Sequence, residues 1–329
     1  MFSILKSSVE ISEQKQFHYE LDQQISIPDA WCGSISINSN KLLLFAGCSF
    51  RTLIFQFSKQ TKLLVSILEE NFAISTILLK NNSKEAFKGD CKGNIKITQI
   101  NGLNNYRFLI KSKEHKDCIT QFLISKDEQL FISSSIDGNI KFWNSGYLIN
   151  CIQTIESNLG SVLGISLNQS ENELIACGKK QIILVINKSI INKQWYIFHQ
   201  IETESYGYRL CYISENAFTF QPNCLGKLQI YQKNQLSFFY NNINEFQVKR
   251  NYIDCLFPQQ YIQKKSILIN KIGNFIYIIK FINQTQILQV QVIDFETYNI
   301  YGSISDDAEF LITWDDKTEL ISIRKLQEI

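Results

Sequence analysis

The sequence predicts an all-β protein built from a repeated unit of short strands. Between Ile119 and Phe142 the apolar residues recur at the spacing of strands rather than of helices. Asp137-Gly138 separates two such runs, and this pair favours a tight hairpin because glycine accepts a positive φ without steric cost. The pattern returns roughly every 42 to 47 residues, which indicates that one structural unit repeats along the chain.

The fullest copy of the unit spans residues 115–143 and resembles the WD40-repeat β-propeller family. In that family, four-stranded antiparallel sheets, or blades, surround a central channel. The resemblance implies that a His, a Ser, the turn Asp and a Trp hydrogen-bond across the blade, and the matching residues are His115, Ser133, Asp137 and Trp143. The residue after the tryptophan is usually Asp in the family, whereas here it is Asn144.

Counterparts of this unit lie before and after it. Gly-Asn-Ile-Lys occurs at 93–96 and again at 138–141, and Gly226 and Gly273 fall at later turn positions. Seven turns predict a seven-bladed propeller, in which the sixth repeat is the most degenerate. The predicted blades are approximately 31–67, 72–111, 115–155, 158–201, 206–240, 250–293 and 298–323.

The seventh repeat lacks an outer strand, because its third strand is predicted to end at Ile323. We expect an N-terminal segment, either 17–21 or 24–27, to complete this blade and close the ring. A single propeller domain is therefore predicted over 13–329, with 1–12 a tail or an extra strand. No Pro/Gly/Ser-rich linker interrupts the periodicity, so we expect no second domain.

Composition favours an intracellular protein. The longest apolar stretches, such as 182–186, have the length of strands rather than membrane helices, and the N-terminus does not resemble a secretory signal. Nine cysteines, spread singly, favour the reducing cytosol over a disulfide scaffold. Their spacing, at closest Cys211 to Cys224, does not suggest zinc, and we expect no metal or other cofactor.

Catalysis and nucleic-acid binding are both disfavoured. Nucleophile-elbow and phosphate-loop motifs are absent from the sequence, and the carboxylate pairs at 306–307 and 315–316 fall at predicted turns. The formal net charge is +2, from 33 basic and 31 acidic residues, which is far from the basic balance of phosphate binders. We expect no small-molecule substrate, no nucleic acid and no membrane insertion.

Loops from all blades converge on the faces of such a ring, and binding residues lie preferentially on loops. The resemblance implies that partner proteins dock where the Asp turns and the loops into the inner strands meet. Tyrosine, tryptophan and arginine are the usual anchors of protein interfaces. The candidate partner-binding residues are Trp31, Arg51, Ile136, Lys180, Tyr206, Tyr208 and Arg209, and Phe50 and Leu225 occupy similar positions.

The sequence thus predicts a non-enzymatic cytosolic scaffold or adaptor that binds other proteins within a complex. It is similar in size and organisation to the adaptor of cytosolic iron–sulfur protein assembly, which is one alternative. It also resembles the uncharacterised WD40 families expanded in ciliates. An enzyme with a channel-centred site is the alternative from another class, and it requires two or more carboxylates or histidines at the channel mouth.

Overall fold

The computed structural model describes residues 17–38, 43–57, 62–80, 85–100, 106–145, 149–249, 257–283 and 286–328. Within these ranges the regular structure consists of strands alone, arranged in seven four-stranded antiparallel sheets. No helix among the described residues has the length and apolar character needed to cross a membrane. The predicted all-β, seven-bladed propeller is confirmed.

Six blades each take four consecutive strands, and the seventh takes three strands from the C-terminal end and one from the N-terminal end. The strands of blades 1 to 3 are β2 (Cys32–Ile37), β3 (Leu43–Cys48), β4 (Arg51–Phe57), β5 (Lys62–Glu69), β6 (Ile74–Leu79), β7 (Glu85–Asp90), β8 (Ile95–Ile100), β9 (Tyr106–Ser112), β10 (Ile119–Ile124), β11 (Leu130–Ser135), β12 (Asn139–Asn144) and β13 (Asn150–Glu156). Those of blades 4 and 5 are β14 (Val162–Leu167), β15 (Glu173–Gly178), β16 (Ile182–Lys188), β17 (Trp195–Glu202), β18 (Gly207–Ser214), β19 (Ala217–Pro222), β20 (Lys227–Lys233) and β21 (Tyr240–Gln247). Those of blades 6 and 7 are β22 (Gln260–Ile262), β23 (Ile267–Ile272), β24 (Phe275–Phe281), β25 (Ile287–Asp294), β26 (Ile300–Ile304), β27 (Phe310–Asp315), β28 (Leu320–Glu328) and β1 (Phe17–Ser26).

The core lies between the blades rather than within any single sheet. Because side chains alternate between the two faces of a strand, each sheet sends apolar residues toward both neighbouring blades. One cluster joins Phe87 of blade 2 to Phe122 and Trp143 of blade 3, and another joins Ile175 of blade 4 to Phe218 of blade 5. Each blade therefore needs a neighbour on both sides, which only a closed ring provides.

The hairpin turns require glycine where the sequence predicted it. Gly138 has φ +85° and Gly93 has φ +79°, a region that side chains with a Cβ rarely adopt. A Cβ on Gly93 would also lie 2.4 Å from the carbonyl oxygen of His115 in the next blade. The repeated Gly-Asn-Ile-Lys segment thus combines a left-handed turn with close packing of adjacent loops.

The ring closes through the N-terminal strand, as predicted. β1 pairs antiparallel with β28, from Phe17 opposite Glu328 to Ser26 opposite Leu320. The two segments predicted as alternatives, 17–21 and 24–27, belong largely to this one strand, which carries an irregularity between Leu21 and Gln23. The third strand of blade 7 continues to Glu328 and does not end at Ile323.

Two other predicted boundaries differ from the structure. Blade 5 was predicted to end at Tyr240, whereas its outer strand begins there and runs to Gln247. Blade 6 was predicted to begin at 250, but residues 250–256 lie outside the described residues, and its inner strand β22 has only 3 residues. The predicted tail at 1–12 also lies outside the described residues.

Blade 2 contains a buried ion-pair cluster. The Glu70 carboxylate accepts hydrogen bonds from the Lys88 and Lys96 ammonium groups, the second at 2.6 Å, and from the Thr52 hydroxyl at 2.9 Å. Burial opposes the ionisation of Glu70, but the two lysines outweigh it and hold the pKa of Glu70 below its ordinary value. The cluster links blade 1, through Thr52, to two strands of blade 2.

Replacing Glu70 with Gln should destabilise the fold by about 3 to 5 kcal/mol, because it removes the negative charge that compensates the buried Lys88 and Lys96. Chemical denaturation at neutral pH measures this change. The matched control is Glu20→Gln, an exposed carboxylate on β1, which should leave the unfolding midpoint in place. A similar small effect from both variants would contradict a central role for the cluster.

The closing strand is anchored by Tyr19, whose buried hydroxyl donates to the Ala308 carbonyl oxygen at 2.7 Å. Tyr19→Phe should cost about 1 kcal/mol of unfolding free energy, because the Ala308 carbonyl loses its donor in a dry environment. Tyr298→Phe, which removes a hydroxyl from an exposed tyrosine, serves as the control. Equal losses in equilibrium denaturation of the two variants would show that the anchoring bond adds nothing.

Candidate partner-binding face

One face of the ring carries two kinds of loop, and we call it the Asp-turn face. The first kind is the turn between the second and third strands of a blade, and the second is the loop that leads into an inner strand. Hydrogen bonds join them: Ser157 N–H donates to the Gly138 oxygen at 3.0 Å, and Lys180 N–H donates to the Leu159 oxygen at 3.1 Å. Each loop therefore lies between the turn of the preceding blade and the turn of its own blade.

The predicted tetrad of blade 3 is assembled at this face. Nδ1 of His115 lies 2.9 Å from Oδ2 of Asp137, and Nε2 of His115 lies 2.7 Å from Oγ of Ser133. The Trp143 indole N–H donates to the same Oγ at 2.9 Å. With the His115 proton on Nδ1, every polar group of the tetrad has a partner, which is what burial demands.

Asp137 connects the tetrad to the backbone of two loops. Its carboxylate accepts from the backbone N–H of Lys116 at 2.8 Å and of Asn139 at 2.9 Å. Burial alone would raise the pKa of Asp137, but the hydrogen bonds from His115 and the two backbone amides lower it well below its ordinary value. The tetrad thus holds the loop into blade 3 against the turn of the same blade.

Trp31 and Arg51 lie in the blade 1 sector of the face. The Trp31 ring is half-buried, packs edge-on against Tyr301 at 5.7 Å, and covers Gly33 so closely that a Cβ there would meet the ring at 2.0 Å. The Arg51 guanidinium is partly exposed and lies 3.8 Å from an Asp29 oxygen and 3.3 Å from a Glu69 oxygen. Trp31 is thus a packing residue that remains partly accessible, and Arg51 is a surface cation that lies beside two carboxylates.

Ile136 and Lys180 lie in the sector of blades 3 and 4. Ile136 is half-buried, and its backbone N–H donates to the Cys118 oxygen at 2.9 Å. Lys180 is exposed, and its ammonium donates to the Asn158 side chain at 2.7 Å. Lys180 and Asp137 border a shallow polar groove of about 520 Å³.

The blade 5 candidates have different environments. Tyr206 and Tyr208 are half-buried with ring centroids 6.0 Å apart, and the Tyr206 hydroxyl accepts from the Asn223 amide at 2.8 Å. Arg209, in contrast, is only 1% exposed, and its Nε donates to the Phe257 carbonyl oxygen. Arg209 therefore belongs to the interior between blades 5 and 6, and its assignment as a surface anchor is corrected.

The most exposed aromatic side chains near these candidates lie in the sector of blades 7, 1 and 2. Phe50 is 62% exposed, Tyr298 is 49% exposed, and Phe72 also reaches solvent. The Phe50 oxygen accepts from Glu70 N–H at 2.7 Å, which brings the blade 1 turn beside the loop that carries Phe72. Sequence reasoning placed Phe50 on this face but missed Phe72 and Tyr298, although both are aromatic residues in loops that enter inner strands.

Sequence reasoning also missed an apolar surface on the opposite face, which we call the hairpin face. The hairpin β16–β17 exposes Ile190 and Ile191, the latter 96% exposed, and the neighbouring hairpin β20–β21 exposes Leu236 at 92%. Both turns have the same backbone pattern, because Ser189 N–H donates to Gln194 oxygen and Asn234 N–H donates to Phe239 oxygen, each at 2.8 Å. The available signal was an Ile-Ile pair between the polar residues Ser189 and Asn192.

The central channel has a volume of about 340 Å³ and is lined mainly by serine, threonine, glutamine and isoleucine side chains of the inner strands. Among its described lining residues the carboxylate is Asp306, and no histidine joins it. In the described part of the chain, no group of three or more His, Cys, Asp or Glu side chains is placed to hold a metal ion.

Comparison with known proteins agrees with this geometry. Residues 107–144 match the family model "WD domain, G-beta repeat", a range that covers most of β9 of blade 2 and the first three strands of blade 3 with the tetrad. A chain of the "Crystal Structure of Mitotic Checkpoint Complex" superposes with a TM-score of 0.74 at 11% identity, over 99% of this chain and 97% of that chain. Since 1710 chains of solved structures match, the likeness identifies the fold and not a particular function. No curated protein matches the chain.

Fold, tetrad and family match together define the class of this protein. It is a seven-bladed β-propeller in which residues 107–144 match the WD40 repeat and the third blade carries the full signature. WD40 propellers are typically non-enzymatic and generally serve as scaffolds for protein interaction.

The depressed pKa of Asp137 gives a pH-dependent prediction. At neutral pH, Asp137→Asn should cost about 1 to 3 kcal/mol of unfolding free energy, because charge-assisted hydrogen bonds are lost. The difference from wild type should narrow as the pH falls below about 4, the ordinary pKa of Asp, since the wild type then loses this contribution as well. Urea denaturation at several pH values measures both effects.

The control for this series is Glu156→Gln, which removes an exposed carboxylate from the outer strand of the same blade. It should track the wild type at every pH. A constant gap between Asp137→Asn and wild type down to pH about 2 would show that the Asp137 charge does not stabilise the blade.

Proposed function

We propose that this propeller is a non-enzymatic scaffold that binds protein partners through the Asp-turn face, within a multiprotein complex in the cytosol. The observation that carries the proposal is the group of accessible aromatic and arginine side chains in the sector of blades 7, 1 and 2. We call this group the aromatic sector, and it consists of Trp31, Phe50, Arg51, Phe72 and Tyr298. Aromatic residues and arginine supply most of the strong anchors in protein interfaces.

The backbone of the aromatic sector favours binding without reordering. The blade 1 turn is joined to the loop entering blade 2 by the bond from Glu70 N–H to the Phe50 oxygen. The Glu70 carboxylate is at the same time held by Lys88 and Lys96. A loop fixed in this way loses little conformational entropy on binding, so more of the contact energy appears as affinity.

Arg51 gives the aromatic sector a preference for a negatively charged partner residue. Its guanidinium lies beside Asp29 and Glu69 but remains partly exposed, so it can turn donors toward an incoming carboxylate. Flanked by Phe50 and Phe72, it suits a partner segment that combines apolar side chains with an acidic residue. Arginine in a partly desolvated aromatic setting is well suited to such bidentate recognition.

The two alternative functions that the sequence left open differ in their support. An adaptor role in cytosolic iron–sulfur protein assembly is a narrower form of the same function and stays a prediction from size and organisation. A channel-centred enzyme needs two or more carboxylates or histidines that converge on the channel. Among the described lining residues the carboxylate is that of Asp306. The scaffold proposal has the better support.

The test compares two surface variants of the full-length tagged protein in affinity capture from its own cytosol, followed by mass spectrometry. Phe50→Ser/Phe72→Ser alters the aromatic sector, and Ile191→Ser/Leu236→Ser alters the hairpin face to a similar extent. We expect the first variant to lose a partner by roughly 10-fold or more, since one or two anchors carry most of an interface, and the second to retain it.

Both variants replace exposed side chains and should keep the wild-type unfolding midpoint, which circular dichroism verifies. Loss of the partner from the hairpin-face variant alone would move the binding site to the opposite face. Identical partners in both variants, or none in the wild type, would refute binding at the aromatic sector.

A further inference from the structure

Two cysteine thiols meet on the Asp-turn face between blades 2 and 3. Cys91 lies in the turn between β7 and β8, and Cys118 immediately precedes β10, the inner strand of the next blade. The turn and the loop that carry them are in contact, since a Cβ on Gly93 would lie 2.9 Å from the oxygen of Asp117, next to Cys118, and the two thiols interact. Both residues are half-buried and unbridged, so each keeps access to solvent.

The backbone around the two thiols keeps them in register. Cys91 N–H donates to the Ala73 oxygen at 3.0 Å, and Ile136 N–H donates to the Cys118 oxygen at 2.9 Å. Gly93, two residues after Cys91, is packed so tightly on the loop ahead of Cys118 that a Cβ would lie 2.4 Å from the His115 oxygen. The backbone on either side of the two thiols is thus hydrogen-bonded and closely packed at the junction between blades 2 and 3.

We propose that Cys91 and Cys118 form a reversible disulfide that joins blades 2 and 3 when the protein meets a low-molecular-weight disulfide such as oxidised glutathione. The pair would act as a modification site on the Asp-turn face.

The reaction proceeds by two thiol–disulfide exchanges. The Cys91 thiolate attacks one sulfur of oxidised glutathione, which forms a mixed disulfide and releases one glutathione thiolate. Cys118 then loses its proton to solvent, attacks the Cys91 sulfur and releases the second glutathione. Two protein thiols are oxidised to one disulfide while one molecule of oxidised glutathione is reduced to two thiols.

The surroundings assign the roles of the two sulfurs. The interaction with the Cys118 thiol and the positive charge of Lys92 lower the pKa of Cys91. Burial and the nearby carboxylates of Asp90 and Asp117 oppose this shift. The same contact, together with burial, raises the pKa of Cys118. Cys91 is therefore the attacking thiolate and Cys118 the resolving thiol, since the thiolate is the reactive form.

Blade 1 offers an internal comparison. Cys32 and Cys48 lie opposite each other on β2 and β3, and their thiols are also in contact. Both are fully buried, and their contact and burial raise the pKa of Cys48. An oxidant in solution cannot reach this pair, so contact between thiols alone does not make a site; accessibility distinguishes Cys91–Cys118.

The experiment uses the reduced full-length protein, incubated under native conditions with oxidised glutathione, then alkylated and mapped by mass spectrometry without reduction. We expect a peptide linked through Cys91 and Cys118 to accumulate at least about 10-fold faster than one linked through Cys32 and Cys48, following their accessibility. Addition of dithiothreitol should restore both free thiols.

Single variants separate the two roles. Cys118→Ser should retain a stable glutathione adduct on Cys91, whereas Cys91→Ser should form neither the adduct nor the link. Absence of the Cys91–Cys118 link in folded wild-type protein, or a lasting adduct on Cys91 with Cys118 present, would overturn the proposal. The measurement needs no partner protein, so its outcome is independent of the proposed function.

Discussion

The pairing of β1 with β28 is the constraint on which the rest of the structure depends. Because apolar clusters form between blades, an open ring would expose one unpartnered face at each end. β1 is held on both sides: Tyr19 sends its hydroxyl to Ala308 within blade 7, and its backbone exchanges two hydrogen bonds with Gln291 of blade 6. One ten-residue strand thus joins the two ends of the chain and buries the last interblade cluster.

The buried polar contacts of different blades lie at similar positions of the repeat but are formed by different residue types. Glu70 and Lys88 of blade 2 lie about 45 residues before His115 and Ser133, the same offset as the repeat. They form an ion pair where blade 3 has the hydrogen bond between His115 and Ser133. Between blades 5 and 6, Thr219, Gln259, Asn270 and Gln221 are linked instead by amide hydrogen bonds. What the fold requires is that buried polar groups be satisfied, which several residue sets achieve. The family model accordingly matches residues 107–144, where the His115, Ser133, Asp137 and Trp143 set lies.

The sequence could predict features that depend on local chemistry and periodicity. The Asp137-Gly138 turn and the seven repeats follow from alternation and from glycine at fixed offsets, and the closure by an N-terminal strand follows from the missing outer strand of the seventh repeat. The burial of Arg209 could not be predicted, because the strand register shifts between Gly207 and Arg209, and such an irregularity changes the side that later side chains face. The outer strand of blade 5 was missed at 241–247 because its exposed, Asn-rich residues resemble those of a loop.

The candidate site was less predictable than the fold for a related reason. On the Asp-turn face each loop is held by backbone hydrogen bonds, as from Glu70 N–H to Phe50 or from Cys91 N–H to Ala73, and these bonds constrain the side chains very little. The exposed positions can therefore carry Phe72, a lysine or a thiol without cost to the ring. Blades supply rigidity, and the loop side chains decide what the face binds or how it is modified, so fold and function are encoded in different residues of the same repeat.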